Sequence, residues 1–151
     1  MTERLLVEKR SHPADVFLTD GRVIEALVFV SEYAQTHDGP QTVRDLIDEP
    51  GHVVPAVDAD GEFVLIHKEA ISAVSVSPSD QDLNGYWHET PATLRLVGGH
   101  RVDGALLVED GSGDRLSDAI NHAGDWIRVR SSGSLLWVRV AALVSARTPE
   151  G

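Results

Sequence analysis

The chain repeats itself, and any fold for it must be one that can be built twice from related sequence. Ala14 to Val76 and Ala92 to Arg147 are two versions of one unit. The opening reads Val16-Phe17-Leu18-Thr19-Asp20-Gly21 in the first and Leu94-Arg95-Leu96-Val97-Gly98-Gly99 in the second. Each opening is followed by an apolar run, Leu27 to Val30 or Ala105 to Val108. Val43-Arg44-Asp45-Leu46-Ile47-Asp48 answers to Leu116-Ser117-Asp118-Ala119-Ile120-Asn121. Gly51 to Val57 answers to Gly124 to Arg130, Gly61 to Ile66 to Gly133 to Val138, and Ala70-Ile71 to Ala142-Leu143. The loop from Ser31 to Thr42 is longer than its counterpart, Glu109 to Asp114.

Each unit reads as strand, turn, strand, short helix, strand, turn, strand and a short final strand. Asp20-Gly21 or Gly98-Gly99, and later Asp60-Gly61 or Ser132-Gly133, are hairpin signals between apolar runs. Val43, Leu46 and Ile47, like Leu116, Ala119 and Ile120, have the i, i+3, i+4 spacing of a helix face. Thr42 with Asp45 resembles a capping box, and Gly51 and Gly124 suit the left-handed residue after a helix end. The spacing therefore predicts an all-β fold with one short helix per repeat: two tandem small barrels or strongly bent five-stranded sheets. The expected organisation is an N-terminal segment 1–13, repeat 1 at 14–76, a linker at 77–91, repeat 2 at 92–147 and a tail at 148–151. The linker is polar, with proline near each end, but Tyr86 and Trp87 are out of place in a flexible tether and are expected to pack on a domain.

Two resemblances follow from these residues. Gly113-Asp114-Arg115-Leu116-Ser117-Asp118-Ala119-Ile120-Asn121 resembles the Gly-Arg-Leu-Ser-Asp-x-Leu-Asn signature of an uncharacterised bacterial domain, and Arg44-Asp45-Leu46-Ile47-Asp48 is a degraded copy of it. Val16 to Gly21 with the following strand resembles the opening of the Sm-like fold, and of Hfq within it. Phe63 to Ser72 is similar to the Hfq closing motif, a Tyr-Lys-His-Ala-Ile-Ser run, with His67, Lys68, Ala70 and Ile71 carrying the match. Glu69 stands at the family's histidine position, and repeat 2 has Val140-Ala141 with neither lysine nor histidine. The resemblance implies two tandem Sm-like units and rings of six or seven such units that bind RNA.

Composition narrows the function. There is no cysteine, which excludes disulfide scaffolds, CxxC zinc sites and thiol catalysis. The excess of 24 acidic over 13 basic residues gives −11 and counts against coating nucleic acid or anionic membrane by bulk charge. That charge is unevenly placed: 14–76 carries 12 acidic and 3 basic residues, hence −9, whereas 92–151 carries 7 of each and is neutral. No apolar run approaches a spanning helix or a signal-peptide core, so the expected location is the cytoplasm with no membrane contact.

One surface stands out. Trp126, Arg128 and Arg130 share a face of one repeat-2 strand; Leu135, Trp137 and Arg139 share a face of the next. If the strands pair, two tryptophans and three arginines meet. They form either a platform for single-stranded nucleic acid or another anionic partner, or an interface where arginine stems cover tryptophan. Repeat 1 has Val53, Pro55, Val57, Phe63, Leu65 and His67 at the same positions.

Other chemistry is thin. Asp58 to Glu62 and Asp110 to Asp114 read as Asp/Gly hairpin turns, because neither continues into the 12-residue pattern of a calcium loop. The seven histidines show no i, i+4 pair and no HExxH motif, so no metal site is expected. There is no GxSxG elbow, P-loop or GxGxxG run, and no catalytic residue or cofactor is assigned. Asp45 and Asp118 recur at the helix, where a carboxylate favours the dipole. The sequence thus points away from an enzyme and towards a non-catalytic binding or assembly module that forms a homo-oligomer. A trimer making a six-unit ring is the expected form, RNA binding in the Hfq manner the alternative, and a small-molecule or metal sensor a further one.

Overall fold

The computed structural model of the protein describes residues 9–31, 43–77, 87–109 and 115–149. Repeat 1 supplies β1 (Lys9–Leu18), β2 (Val23–Ser31), α1 (Val43–Asp48), β3 (Val53–Asp58), β4 (Phe63–His67) and β5 (Ile71–Val76). Repeat 2 supplies β6 (Trp87–Leu96), β7 (His100–Glu109), α2 (Leu116–His122), β8 (Trp126–Ser131), β9 (Ser134–Arg139) and β10 (Leu143–Arg147). A one-turn 3-10 helix, Lys68–Ala70 or Val140–Ala142, leads into each final strand.

The protein is mainly β, as its alternation and hairpin turns predict. The arrangement is one sheet rather than two separate units. Ten strands run in the order β10-β6-β7-β8-β9-β5-β1-β2-β3-β4. Every pairing is antiparallel. Within a repeat the fifth strand lies beside the first, not beside the fourth, so each five-strand set is open and its outer edges point to opposite sides. β5 joins the sets by pairing with β9. Its position at the centre of the sheet explains why Ile71 to Val74 are buried without a break, where an outer strand would alternate.

Both opening strands start earlier than predicted: β1 at Lys9 and β6 at Trp87, inside the expected N-terminal segment and linker. Pro13 and Pro91 sit at matching positions in these extensions. β1 pairs with β2 along its length but with β5 only from Asp15, and β6 likewise meets β10 only from Thr93. A residue without an N–H is tolerated where one flank has no ladder to complete. The two closing strands also share an irregularity, a register shift at Ser72 in β5 and at Val144 in β10.

Val43, Leu46 and Ile47 of α1 are buried; in α2 only Ala119 is. Thr42 of the expected capping box lies outside the described residues. Gly124 does not take the left-handed conformation expected of it. Instead α2 ends at Ala123, extended, whose N–H donates to the Ile120 carbonyl at 3.2 Å. The apolar interior forms two clusters that interlock. Leu107, Leu135 and Trp137 of repeat 2 lie in the repeat 1 cluster, and Ala73 and Phe17 of repeat 1 pack into the other.

The first hairpin turns of the two repeats touch. A Cβ added to Gly98, at φ +100°, would stand 2.5 Å from the Leu18 carbonyl oxygen, closer than any real contact allows. Gly61 has a similar φ of +81° but open space around it. Gly61→Ala should therefore cost about 1 kcal/mol for backbone conformation alone. Gly98→Ala should cost about 3 kcal/mol, because the turns must also separate. Urea midpoints of the two variants measure the difference, and equal midpoints would mean that the turn contact carries no stability.

Candidate functional site

The joint between the repeats is where chemistry concentrates. Four residue pairs register β5 against β9: Ala73 with Val138, Val74 with Trp137, Ser75 with Leu136 and Val76 with Leu135. Around this ladder, side chains of one repeat bond main-chain carbonyls of the other. Arg139 donates from Nε to the Ile71 carbonyl at 2.6 Å and from Nη2 to that of Glu69 at 2.9 Å. His100 donates from Nε2 to the Leu18 carbonyl at 2.7 Å and stacks on Phe17, ring centres 5.3 Å apart. The buried Ser72 hydroxyl donates to the Val97 carbonyl at 2.6 Å. Side-chain donors thus satisfy carbonyls that ladder pairing leaves over at the strand ends.

The predicted aromatic and arginine face assembles at this joint. β8 and β9 register Trp126 against Arg139, Arg128 against Trp137 and Arg130 against Leu135, so the six residues share a face. That face is turned towards repeat 1. Trp137 is buried in the repeat 1 cluster with the Arg44 guanidinium 5.5 Å from its ring centre, and its indole N–H has no acceptor among the described residues. Trp126 and Trp87 pack against the same cluster, and Arg128 lies 5.3 Å from the Trp87 ring centre. Arg130 pairs with Glu89, and Arg139 is held by the two carbonyls. Trp87 of the expected linker is thus part of the sheet, while Tyr86 lies outside the described residues. A cleft of about 200 Å³ opens beside Trp137, lined by Arg44, His122, Trp126 and Arg128 among others. Of its basic side chains, Arg44 pairs with Asp48 at 3.4 Å and His122 Nδ1 donates to the Asp118 carbonyl at 2.8 Å.

The run His67-Lys68-Glu69-Ala70-Ile71 forms the turn from β4 into β5. The Glu69 N–H donates to His67 Nδ1 at 3.1 Å, the Lys68 ammonium donates to the Glu49 carbonyl, and the Thr19 N–H donates to the Ala70 carbonyl at 2.9 Å. Of the acidic turns, Asp58 Oδ1 accepts from the N–H groups of Asp60 and Glu62, both at 3.0 Å, which is turn chemistry. Residues 110–114 lie outside the described part. No cluster of three metal-ligating side chains occurs among the described residues. No helix among them is long and apolar enough to cross a membrane. Among the described residues, Asp20 and Asp103 titrate below the usual aspartate value. In Asp20 the Arg22 N–H lowers it most, helped by the Arg22 guanidinium; in Asp103 the main cause is the Thr93 hydroxyl, followed by Arg101.

The same positions in the two repeats differ sharply in exposure. Leu135 and Trp137 in β9 are 1% and 2% exposed; their counterparts in β4, Phe63 and Leu65, are 66% and 56% exposed. Val53 beside them on β3 is exposed too. At the far edge of the sheet, Val144 in β10 is 65% exposed where its counterpart Ser72 is fully buried. Reading each repeat alone does not reveal these residues as a surface. The signal was the alignment itself, which sets Phe63 and Leu65 against Leu135 and Trp137.

The joint makes a stability prediction. Arg139→Ala should cost about 1.5–3 kcal/mol, since it removes a charged donor from the part-buried Ile71 carbonyl. Arg130→Ala, which removes a half-exposed ion pair, should cost about 0–1 kcal/mol. Chemical denaturation checks both, and a cost at Arg130 equal to that at Arg139 would contradict this division of labour. In comparisons with known proteins, no family model, no curated protein and no solved structure matches this chain.

Proposed function

We propose that this protein is a non-catalytic assembly module of two Sm-like units, and that it self-associates through surface the single chain leaves open. One observation carries the reading: Phe63 and Leu65 stand in solvent at positions where the other repeat buries Leu135 and Trp137. Large apolar residues side by side on an outer strand are an interaction surface by default. They sit on β4, an outermost strand of the described sheet, so a partner gains both a ladder and an apolar contact. The Sm-like reading draws support from five antiparallel strands arranged alike in each repeat and from the turn that His67 to Ile71 form. The tryptophan and arginine face lends none to RNA binding, because Trp137 is buried and Arg130 and Arg139 are engaged within the chain.

Native mass by light scattering after size exclusion tests the proposal. The expected mass exceeds that of one 16.4 kDa chain, with a trimer as the six-unit form. Phe63→Ser with Leu65→Ser should shift the protein to the monomer and leave its circular dichroism unchanged, because both residues are exposed within the chain. A monomeric mass for the unaltered protein at every concentration would overturn the reading.

A further inference from the structure

Resting on the reading that the chain self-associates, we propose that its partner is a second copy bound head to tail. In this arrangement β4 of one copy pairs antiparallel to β10 of the next, in the register that β5 and β9 use within the chain. The two outer edges of the sheet are the counterparts of the two strands already paired at its centre. Carrying the internal register across by the repeat sets Ser145 against Ile66, Ala146 against Leu65, Arg147 against Val64 and Thr148 against Phe63.

Three features of the open edges fit this pairing. First, β10 carries the same register shift as β5, so it presents the same bent edge. Second, the outward apolar residues fall on both members of the new pair, Phe63 and Leu65 on one side and Val144 on the other. Third, the long side-chain donors recur with residue types exchanged. Arg22 stands where the joint has His100, and His67 stands where it has Arg139. With Nδ1 accepting from Glu69, neutral His67 carries its proton on Nε2, a donor matched to the Leu143 carbonyl of the next copy. Arg22, now bonded to Asp20 at 2.9 Å, is matched to the Leu96 carbonyl. Charge favours the same order, since a unit of −9 meets a neutral one instead of its own kind. Pairing β4 with β4 would set two acidic units together and leave β10 open.

The lack of cysteine makes the test direct. Leu65→Cys and Ala146→Cys are prepared as separate variants, mixed and oxidised. Paired strands hold opposing Cα atoms within disulfide range. Ile66→Cys with Ser145→Cys, the neighbouring pair, covers the alternation between close and wide pairs along an antiparallel ladder. The expected result is a disulfide-linked dimer from the mixture and none from either variant alone. A dimer from Leu65→Cys alone would mean β4 meets β4 and would overturn the head-to-tail order. A native mass above one chain with no disulfide from either mixture would overturn the register and leave self-association standing. A monomeric native mass would remove the reading on which this inference rests.

Discussion

Everything in this molecule is arranged around the pairing of β5 with β9. A β-strand offers hydrogen-bonding groups to two sides, and β5 uses one side for its own repeat and the other for the second. That single ladder turns two open five-strand sets into one sheet. It leaves β9 buried on both faces, sets Trp137 into the interior of the first repeat, and gives Arg139, His100 and Ser72 their carbonyl partners. The close approach of the Gly21 and Gly98 turns follows from the same geometry, because the strands leading to them are held side by side.

Much of this was legible in the sequence. The hairpin turns, the short helices and the succession of elements along each unit follow from local patterns that appear twice. The residues that would share a face on β8 and β9 were legible too, since alternation and a Ser-Gly turn fix the register. What local pattern does not encode is the choice between closing β4 onto β5 and sending β5 to another unit. Both satisfy the same backbone groups. The decision rests on packing between residues more than sixty positions apart, such as Val74 against Trp137. For the same reason the sequence left the tryptophans and arginines suspended between a platform and an interface.

The strand extensions teach a different lesson. Pro13 ends the expected N-terminal segment and Pro91 the expected linker, and prolines in the middle of a sheet would break it. They are tolerated because β1 and β6 outrun their partners on one side, which no local signal announces. Matching Pro-Ala pairs, Pro13-Ala14 and Pro91-Ala92, stand at the same place in the two extended strands.

Because one joint is built into the chain, units enter any assembly two at a time. A closed assembly extended through the outer edges holds an even number of units, so a seven-membered ring is inaccessible by composition alone. The joints are also of two thermodynamic kinds. Those within chains form at the effective concentration set by the tether, whereas those between chains respond to dilution. Such an assembly would come apart along alternate seams, releasing intact pairs rather than single units.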